Sequence, residues 1–327
     1  MNTRRSFIKT VGAGTALSAL TFSTIGATAS RLISENPSGE KPIRIGIIGA
    51  ENSHTTIYAK MFNTDKKFPG VEVTHLWGET DDFARKAAEA GKIPTIVKDQ
   101  KEMLGKIDAL IVDHRHAKYH LEAATPFVKA GIPTFIDKPF CYRVSEGKEF
   151  LAMAREAGTP VSSYSTVAHS DSTFDIAGQI KSLGEINNVV RYGPAEIESP
   201  YGGIFFYGVH LVQPLMYMFG DDIKVVKINK YGEKAGAVLI FESGLQANLV
   251  FSSLHYGWET FVETKKGIVE LKSRVQETNP ERCYRDMVEM FRTGKVPLSH
   301  ESILKPIAVL EAMEKSVSSE KWEEAII

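Results

Sequence analysis

Histidines and charged residues follow an apolar run in the first half of the chain, and their side chains could do chemistry. Residues 109–113 end in aspartate and are followed by His114, Arg115 and His116, with His120 four residues later. Imidazole and carboxylate groups suit a divalent metal such as Zn, Mn or Fe. They also bind sugar hydroxyls, and an imidazole can act as a general acid or base. Because the spacing matches no established metal motif, we predict no metal, assign His114 and His116 to substrate binding, and expect His120 to begin a helix, with simple exposure as the alternative.

A loop after the first predicted strand could hold a dinucleotide. Such a loop normally reads Gly-x-Gly-x-x-Gly, so that it can turn, approach the pyrophosphate and pack against a helix. Residues 49–54 read Gly-Ala-Glu-Asn-Ser-His, which puts Glu51 and His54 at the second and third glycine positions. At an effective dielectric of ~20, two unit charges ~4 Å apart repel by about 4 kcal/mol, so a carboxylate here opposes pyrophosphate binding. We expect Glu51 to turn away, while the helix that begins at Ser53 still attracts phosphate.

Strands alternate with helices over residues 43–164 and predict a parallel sheet that is buried on both faces. Ligand sites in such sheets lie beyond the carboxyl ends of the strands, so the histidines and the loop are expected at one edge. The predicted strands are 43–49, 71–77, 109–113, 133–136 and 160–164, and the predicted helices are 55–63, 82–90, 120–130 and 146–157.

The second half predicts an α+β domain whose sheet is largely antiparallel and meander-like, because closely spaced strands are separated by turn residues. We place a Rossmann-like domain at 43–160 and this second domain at 161–327, after a polar linker at 30–42. The predicted strands are 186–192, 224–231, 235–242, 245–253, 260–264 and 267–272, and the predicted helices are 176–182, 209–219, 280–293 and 300–318.

The amino terminus is typical of a twin-arginine export signal. Arg4 and Arg5 precede an uncharged, weakly apolar run at 11–26, and a small-x-small cleavage pattern ends at residue 29. We expect a signal peptide over 1–29 and a periplasmic protein that is exported already folded. An uncleaved anchor is the alternative, although about sixteen residues are few for a membrane span.

The bulk composition is typical of a soluble globular protein. Charged residues make up 24% of the chain and the formal net charge is −1, which favours neither nucleic acid nor an anionic membrane surface as a partner. Hydrophobic residues make up 43%, enough for a sizeable core. Cys141 and Cys283 form neither a disulfide framework nor a metal motif, and we predict two unpaired thiols.

In the order and spacing of several motifs the chain resembles the Gfo/Idh/MocA family, named for glucose-fructose oxidoreductase and inositol dehydrogenase. The motifs are Gly-Ile-Ile-Gly-Ala at 46–50, Ile-Asp-Lys-Pro at 136–139, a glycine-rich run at 202–210 that ends in Gly-Val-His, and the closing stretch at 284–316. The resemblance covers residues 41–320. It implies a Rossmann domain, a substrate-bearing sheet domain and an NAD(P)-dependent oxidoreductase of sugars or cyclitols.

The resemblance also implies the catalytic residues. Lys138 matches the lysine that polarises or deprotonates the reacting hydroxyl, and we expect it at the rim of the crevice. His210 matches the histidine of the second domain. Phe206 stands where an aspartate is usual, and Gln213 replaces a second frequent aspartate. The alternatives are a structural ion pair between Lys138 and Asp137, and a helix-capping role for His210.

The implied cofactor is NAD or NADP. The usual ribose-binding aspartate is replaced by Gly78, and we assign its role to Glu79, one position later. The predicted cofactor-binding residues are Gly46, Gly49, Ala50, Glu51, Asn52, Ser53, His54, Glu79, Asp113 and Asp137. The predicted substrate-binding residues are His114, His116, Tyr207 and Gln213, with Trp77, Tyr201 and Trp258 as further aromatics that stack on sugars or pack in the core.

Two functions stay open from the sequence. The first, which we adopt, is a periplasmic oxidoreductase that keeps NAD(P) bound and acts on a sugar, glycoside or cyclitol hydroxyl. The second is a lyase, epimerase or carbohydrate-binding protein in which the Glu51, His54, His114 and His116 cluster replaces the nicotinamide. In either case the expected partner is a small carbohydrate, with a homo-oligomer formed through the C-terminal sheet.

The export signal can be tested directly. Replacing Arg4 and Arg5 together by lysine should trap the precursor in the cytoplasm, because twin-arginine export depends on the arginine pair. Cell fractionation and immunoblotting would measure the periplasmic share, with Arg31→Lys as the control outside the pair. Unchanged export of the double variant would contradict the assignment.

Overall fold

The computed structural model describes residues 41–232 and 234–327, so the predicted signal peptide and most of the linker lie outside the described residues. Within them the chain forms one parallel and one mixed β-sheet, each covered by helices, which confirms the predicted fold class. No helix in the described part is long and apolar enough to cross a membrane. The domain boundary near residue 160 stays a prediction.

The first sheet is parallel and has six strands in the order β3-β2-β1-β4-β5-β6. Its central strands are buried on both faces, as the continuous apolar runs predict: every residue of β4 and β5 is buried. The strands are β1 (Ile43–Ile48), β2 (Val71–Trp77), β3 (Thr95–Ile96), β4 (Ala109–Val112), β5 (Thr134–Ile136) and β6 (Val161–Ser162), and the helices are α1 (Ser53–Ala59), α2 (Asp81–Gly91), α3 (His120–Lys129) and α4 (Val144–Glu156).

Helix α1 begins two residues before its predicted start. Asn52 caps it, because its side-chain oxygen accepts a hydrogen bond from the backbone N–H of His54. The helix continues as a π-helical turn over Lys60–Thr64. Strand β3 was not predicted, since both of its residues are exposed and give no apolar alternation.

The second sheet has seven strands in the order β12-β11-β7-β10-β9-β8-β13. It is antiparallel except where β7 pairs with β10 in parallel, so the expected simple meander is wrong at its centre. After β7 the chain passes through α6 to β8, two strand positions beyond β10, and then returns through β9 to β10, which pairs with β7. Hairpin signals in the sequence cannot reveal such a connection. The strands are β7 (Ile186–Pro194), β8 (Ile223–Tyr231), β9 (Lys234–Phe241), β10 (Gln246–Ser252), β11 (Thr260–Thr264), β12 (Gly267–Leu271) and β13 (Glu323–Glu324), and the helices are α5 (Asp171–Ile180), α6 (Phe205–Phe219), α7 (Arg282–Thr293) and α8 (His300–Ser319).

Helix α7, late in the chain, packs back onto the first sheet. Its buried residues Met287 and Phe291 join the same hydrophobic cluster as Ile45 of β1. The hydroxyl of Tyr164 donates a 2.6 Å hydrogen bond to the backbone oxygen of Cys283 at the start of this helix. Helix α7 therefore contributes to the hydrophobic core of the parallel sheet and stabilises it.

Both cysteines are free and buried, which confirms the prediction of two unpaired thiols. Burial raises the pKa of the thiols of Cys141 and Cys283 well above the usual range. Neither thiol is therefore a reactive nucleophile.

The packing of α7 leads to a stability prediction. Met287 is fully buried, so Met287→Ala should lower the free energy of unfolding by about 2–5 kcal/mol through lost burial and a cavity. Urea unfolding followed by circular dichroism would measure it, with Glu289→Ala on the exposed face of α7 as the control. Equal losses in the two variants would show that α7 does not contribute through this contact.

Candidate active site

Two adjacent strands of the parallel sheet end in buried carboxylates. Asp113 follows β4 and Asp137 follows β5, and neither side chain is exposed. Asp113 Oδ1 accepts a 2.8 Å hydrogen bond from Asn52 Nδ2, and Asp113 Oδ2 accepts a 2.6 Å hydrogen bond from Thr55 Oγ1. Burial, and then the charge of Asp137, raises the pKa of Asp113 well above its usual range. Both effects favour the neutral form of Asp113 over its anion.

Asp137 keeps its negative charge. Its Oδ1 accepts a 3.0 Å hydrogen bond from the hydroxyl of Tyr58, and its Oδ2 lies 3.0 Å from His54 Nδ1 and 3.8 Å from Lys138 Nζ. Burial by itself would raise the pKa of Asp137, but the charges of His54 and Lys138 hold it well below its usual range. The surroundings thus move the pKa values of the two neighbouring carboxyl groups in opposite directions.

Ligand atoms of His54, Asp113 and Asp137 lie within 4.8 Å of one another, a spacing that a metal ion can use. The carboxylate oxygens already accept hydrogen bonds from protein groups, including the hydroxyls of Thr55 and Tyr58. We therefore interpret the group as a hydrogen-bonded network. The histidines that the sequence analysis considered for a metal are not part of it.

The loop that carries this network lies directly against β4. Gly49 has φ +115°, and a Cβ atom at this position would lie 2.6 Å from the backbone oxygen of Asp113, so glycine is required here. The sequence analysis assigned this loop but missed Thr55 and Tyr58. Their spacing of three residues on α1 places both on the face that meets the strand ends, a signal that was available.

Lys138 follows β5 directly and is only 7% exposed, which is more enclosed than the expected position at the crevice rim. The ion pair with Asp137 that we considered as its structural role is present at 3.8 Å. The ammonium group also lies 5.5 Å from the ring centroid of Phe206 in the second domain. Lys138 therefore lies between the sheet edge and the second domain.

His120 begins α3 as predicted, but its side chain is fully buried, so the exposed alternative is wrong. Its Nδ1 lies 3.0 Å from the backbone oxygen of Pro139, and its Nε2 lies 2.8 Å from that of His114. The ring thus connects the segment after β4 with the segment after β5. His120 therefore links the two segments that follow the strand-end residues Asp113 and Lys138.

His210 lies inside α6, five residues after the helix begins, so a helix-capping role is wrong. Its Nδ1 lies 2.7 Å from the hydroxyl of Ser165, and Gln213 Oε1 accepts a 2.7 Å hydrogen bond from the backbone N–H of Ser165. Burial lowers the pKa of His210 well below its usual range. His210 is therefore neutral. Ser165 was missed, although it follows β6 at the same sheet edge.

Phe206, at the position of the usual aspartate, lies between two cations. Its ring centroid is 5.5 Å from Lys138 Nζ and 5.2 Å from Arg115 Cζ, within the range of cation–π contacts. A row of aromatic rings continues from it along the second domain and packs beside His210. The rings of this row are Tyr201, Phe206, Tyr207, Tyr256 and Trp258.

Glu51 turns toward the second domain. Its Oε1 accepts a 2.7 Å hydrogen bond from the hydroxyl of Tyr201, and that hydroxyl also accepts a 2.9 Å hydrogen bond from Arg115. The guanidinium of Arg115 lies 3.9 Å from the Glu51 carboxylate and 3.9 Å from the ring centroid of Tyr201. The charge of Glu51 is therefore compensated, and the three side chains bridge the two domains.

The remaining histidines do not converge on Lys138. His116 accepts a 3.3 Å hydrogen bond at Nδ1 from the backbone N–H of Lys118 and packs 5.1 Å from the ring of Tyr142. His114 is buried, and its ring lies 5.8 Å from that of Trp77. Burial lowers the pKa of His114 to about 3, so it is neutral.

A cavity of about 460 Å³ is lined by Trp77, His114 and Tyr119. Two buried polar atoms have no partner among the described residues: Nδ1 of His114, which lines the cavity, and Oε1 of Glu79, which follows Trp77 by two residues. An adenosine group would supply aromatic stacking, and its ribose hydroxyls would donate to the free carboxylate oxygen. The residues present therefore fit the adenosine half of a dinucleotide.

The pyrophosphate part of the loop fits less well. The other oxygen of Glu79 accepts hydrogen bonds of 2.8 and 2.9 Å from the backbone N–H groups of Ala50 and Glu51. These donors point at an internal anion, so this oxygen must leave them before phosphate can take its place. A Cβ atom at Gly78 would lie 2.7 Å from the Cβ atom of Ala50. Position 78 therefore has no room for an acidic side chain, and the acidic residue is Glu79 instead.

Comparisons with known proteins agree with this geometry. Residues 43–165 match the GFO_IDH_MocA family, described as "Oxidoreductase family, NAD-binding Rossmann fold". The Escherichia coli K12 protein "Uncharacterized oxidoreductase YhhX" is 30% identical over 160 residues, which are 45% of this chain and 46% of that protein. The match thus spans less than half the length of this curated relative.

Solved structures share the fold across both sheets. Apo scyllo-inositol dehydrogenase from Lactobacillus casei matches with a TM-score of 0.73 at 16% identity, covering 88% of this chain and 99% of that chain. GenD2 from gentamicin A biosynthesis, in complex with NAD, matches with a TM-score of 0.72 at 14% identity, covering 87% and 96%. Residues 43–165 thus match the family model of oxidoreductases with an NAD-binding Rossmann fold, and the solved structures share the fold of the chain across both sheets.

Proposed function

We propose that the protein is an NAD-dependent oxidoreductase that acts on a hydroxyl of a sugar or cyclitol in the periplasm. The observation that carries the proposal is the position of Lys138, an enclosed amine at the strand ends of an NAD-binding domain that faces Phe206 and the row of aromatic rings. The family description and the relatives named as dehydrogenases support it. The periplasmic location rests on Arg4 and Arg5 in the sequence.

The cofactor fits best as NAD. A bound nicotinamide would supply the hydride acceptor for the carbon that bears the reacting hydroxyl. Glu79 offers its free oxygen to the ribose hydroxyls, and the same negative charge repels the 2′-phosphate of NADP. Trp77, His114 and Tyr119 would hold the adenine ring.

Lys138 is the proposed base. An unprotonated amine can take the hydroxyl proton as the carbon loses its hydride. His210 is neutral, and since its Nδ1 is engaged by Ser165, its Nε2 is left to hold the substrate hydroxyl. Tyr207 and Trp258 pack on His210 and give the substrate ring apolar surfaces to stack on.

A cofactor-independent lyase, epimerase or carbohydrate-binding protein is the second candidate. The contact that favours it is the carboxylate of Glu79 on the N–H groups of Ala50 and Glu51, where a dinucleotide's pyrophosphate would need donors. A measurement of nucleotide binding distinguishes the NAD-dependent oxidoreductase from the cofactor-independent protein.

Calorimetry on nucleotide-free protein should show that NAD⁺ binds at least about tenfold more tightly than NADP⁺, because Glu79 repels the 2′-phosphate. Glu79→Gln should reduce this difference. Glu122→Gln, an exposed acidic side chain that lines the same cavity, is the matched control and should leave the ratio unchanged. Absence of heat with both nucleotides would favour the second candidate.

Lys138→Met should lower the oxidation rate by ~10²–10⁴-fold, the scale of lost general base catalysis. The fold should survive, since Asp137 keeps its contacts with His54 and Tyr58. The assay would offer NAD⁺ with myo-inositol, scyllo-inositol and D-glucose and record reduced nicotinamide. Lys118→Met, on the surface, is the control. Near-normal turnover by Lys138→Met would leave this lysine only a structural role.

A further inference from the structure

We propose that the substrate is a sugar acid, a sugar whose ring carries a carboxylate, and that the guanidinium group of Arg115 binds this carboxylate while the reacting hydroxyl lies at Lys138. Arg115 follows β4 and Lys138 follows β5, so both lie at the same edge of the parallel sheet. The inference names the substrate class of the proposed function and rests on that function for the place of the reaction. Recognition of the carboxylate itself needs no cofactor.

The guanidinium group of Arg115 is held in place by aromatic rings. Its Cζ lies 3.9 Å from the ring centroid of Tyr201 and 5.2 Å from that of Phe206. Its Nη1 donates a 2.9 Å hydrogen bond to the hydroxyl of Tyr201. The side chain of Arg115 is nevertheless 33% exposed. The group is therefore fixed in orientation and accessible to a ligand, which reduces the entropy lost when an ion pair with the substrate forms.

One edge of the guanidinium group has no acceptor in the protein. Glu51 Oε1 lies 3.9 Å from Arg115 Nη1, beyond hydrogen-bond distance, and accepts a hydrogen bond from Tyr201 instead. Among the residues that the structure describes, none accepts a hydrogen bond from Nε or Nη2 of Arg115. Parallel N–H groups on such an edge match the two oxygens of a carboxylate. The Nε–Nη2 edge is thus available to a carboxylate of the substrate.

A second stacked arginine gives a comparison within the same chain. Arg143 Cζ lies 4.1 Å from the ring centroid of Tyr142, its Nη2 lies 2.9 Å from Glu314 Oε2 and its Nε lies 3.9 Å from Glu311 Oε1. Both arginines stack on a tyrosine, but the Nη2 of Arg143 is paired with a carboxylate of this chain. Arg143 is therefore a matched control for Arg115.

The positions of Arg115 and Lys138 suit the two ends of one sugar ring. Their cationic groups lie 5.2 and 5.5 Å from the centroid of the Phe206 ring, so they are no further apart than the sum of these two distances. A six-membered sugar ring can carry an exocyclic carboxylate on one side and a hydroxyl on the other, which spans a comparable length. The aromatic ring of Phe206 offers an apolar surface to the C–H groups between them.

A buried arginine adds positive charge behind the row of aromatic rings. Arg191 of β7 is only 4% exposed; it donates 2.6 Å and 3.3 Å hydrogen bonds to Thr260 Oγ1 and to the backbone oxygen of His210. Its Nε has no hydrogen-bond partner among the described residues. Glu259, the carboxylate that acts on it through space, is hydrogen-bonded to His255 instead. A buried cation without a bonded carboxylate is costly, and an anionic substrate beside His210 would offset part of this cost.

Calorimetry would measure the binding of D-glucuronate and D-galacturonate, each against its neutral partner D-glucose or D-galactose, to nucleotide-free protein and to protein saturated with NAD⁺. At least one acid should bind about tenfold or more tightly than its neutral partner, because the carboxylate gains charge-assisted hydrogen bonds. Arg115→Gln should lower the affinity for that acid by about 10- to 100-fold and leave the affinity for the neutral sugar nearly unchanged. Arg143→Gln should change neither affinity.

A double variant distinguishes direct contact from charge repulsion. Loss of Arg115 also leaves Glu51 without its neighbouring cation, which by itself disfavours an acidic ligand. Glu51→Gln combined with Arg115→Gln removes both charges, and the affinity for the acid should stay low because the donors are still missing. Circular dichroism checks the fold. If the glutamine variant does not fold, Arg115→Lys replaces it, since lysine keeps the charge but lacks the paired donors and should also weaken acid binding.

Three results would overturn the proposal: recovered acid affinity in the double variant, equal affinity for acid and neutral sugar, or no binding of either acid. A fourth is weaker binding of NAD⁺ to Arg115→Gln with unchanged acid affinity, because the anion at Arg115 would then be the pyrophosphate. Absence of NAD⁺ binding to the unaltered protein would contradict the proposed oxidoreductase function alone. The comparison of acid with neutral sugar in nucleotide-free protein stays valid in that case, so the two failures are distinguishable.

Discussion

The need to stabilise two carboxyl groups, buried where adjacent parallel strands end, constrains the whole site. An ionised or unpaired carboxylate without exposure is costly unless nearby groups donate to it or balance its charge. Asp113 and Asp137 obtain their partners from the loop and first turns of α1. The loop must therefore lie close to β4, which only a glycine at position 49 allows. The position of α1, the cofactor loop and Lys138 all follow from this network.

The departures from the pattern of the Gfo/Idh/MocA family, which the chain resembles, compensate one another in space. Glu51 would repel a pyrophosphate, but it faces Arg115 and Tyr201 instead. Phe206 replaces the usual carboxylate of the second domain, and its ring contacts the cationic groups of Arg115 and Lys138. Phe206 therefore leaves an aromatic ring, and no carboxylate, beside Lys138 at this position of the second domain.

The cleft is assembled from segments that are far apart in the chain. Lys138 comes from the first sheet, His210 from α6, and α7 returns to cover the first sheet. Glu51 and Tyr201 connect the cofactor loop to the glycine-rich segment of the second domain. Contacts between distant segments of the chain therefore set the geometry around Lys138.

Much of the fold followed from the sequence because its signals are local. Apolar runs predicted the parallel strands, and the motif around Lys138 placed that residue at the correct sheet edge. The parallel pairing of β7 with β10 could not be predicted, since strand neighbours depend on where α6 lets the chain return. Burial of His120 was likewise hidden, because its two partners are backbone oxygens supplied by other segments.

The charge states within the site were decided only by tertiary structure. From the sequence, Asp113, Asp137, His54 and Lys138 were separate candidates with several possible roles. Folding places them together at the buried strand ends, where desolvation and neighbouring charges raise the pKa of Asp113 and the charges of His54 and Lys138 lower that of Asp137. The residue types were set by the sequence, but which of them carries a charge depends on distances and burial that exist only in the folded chain.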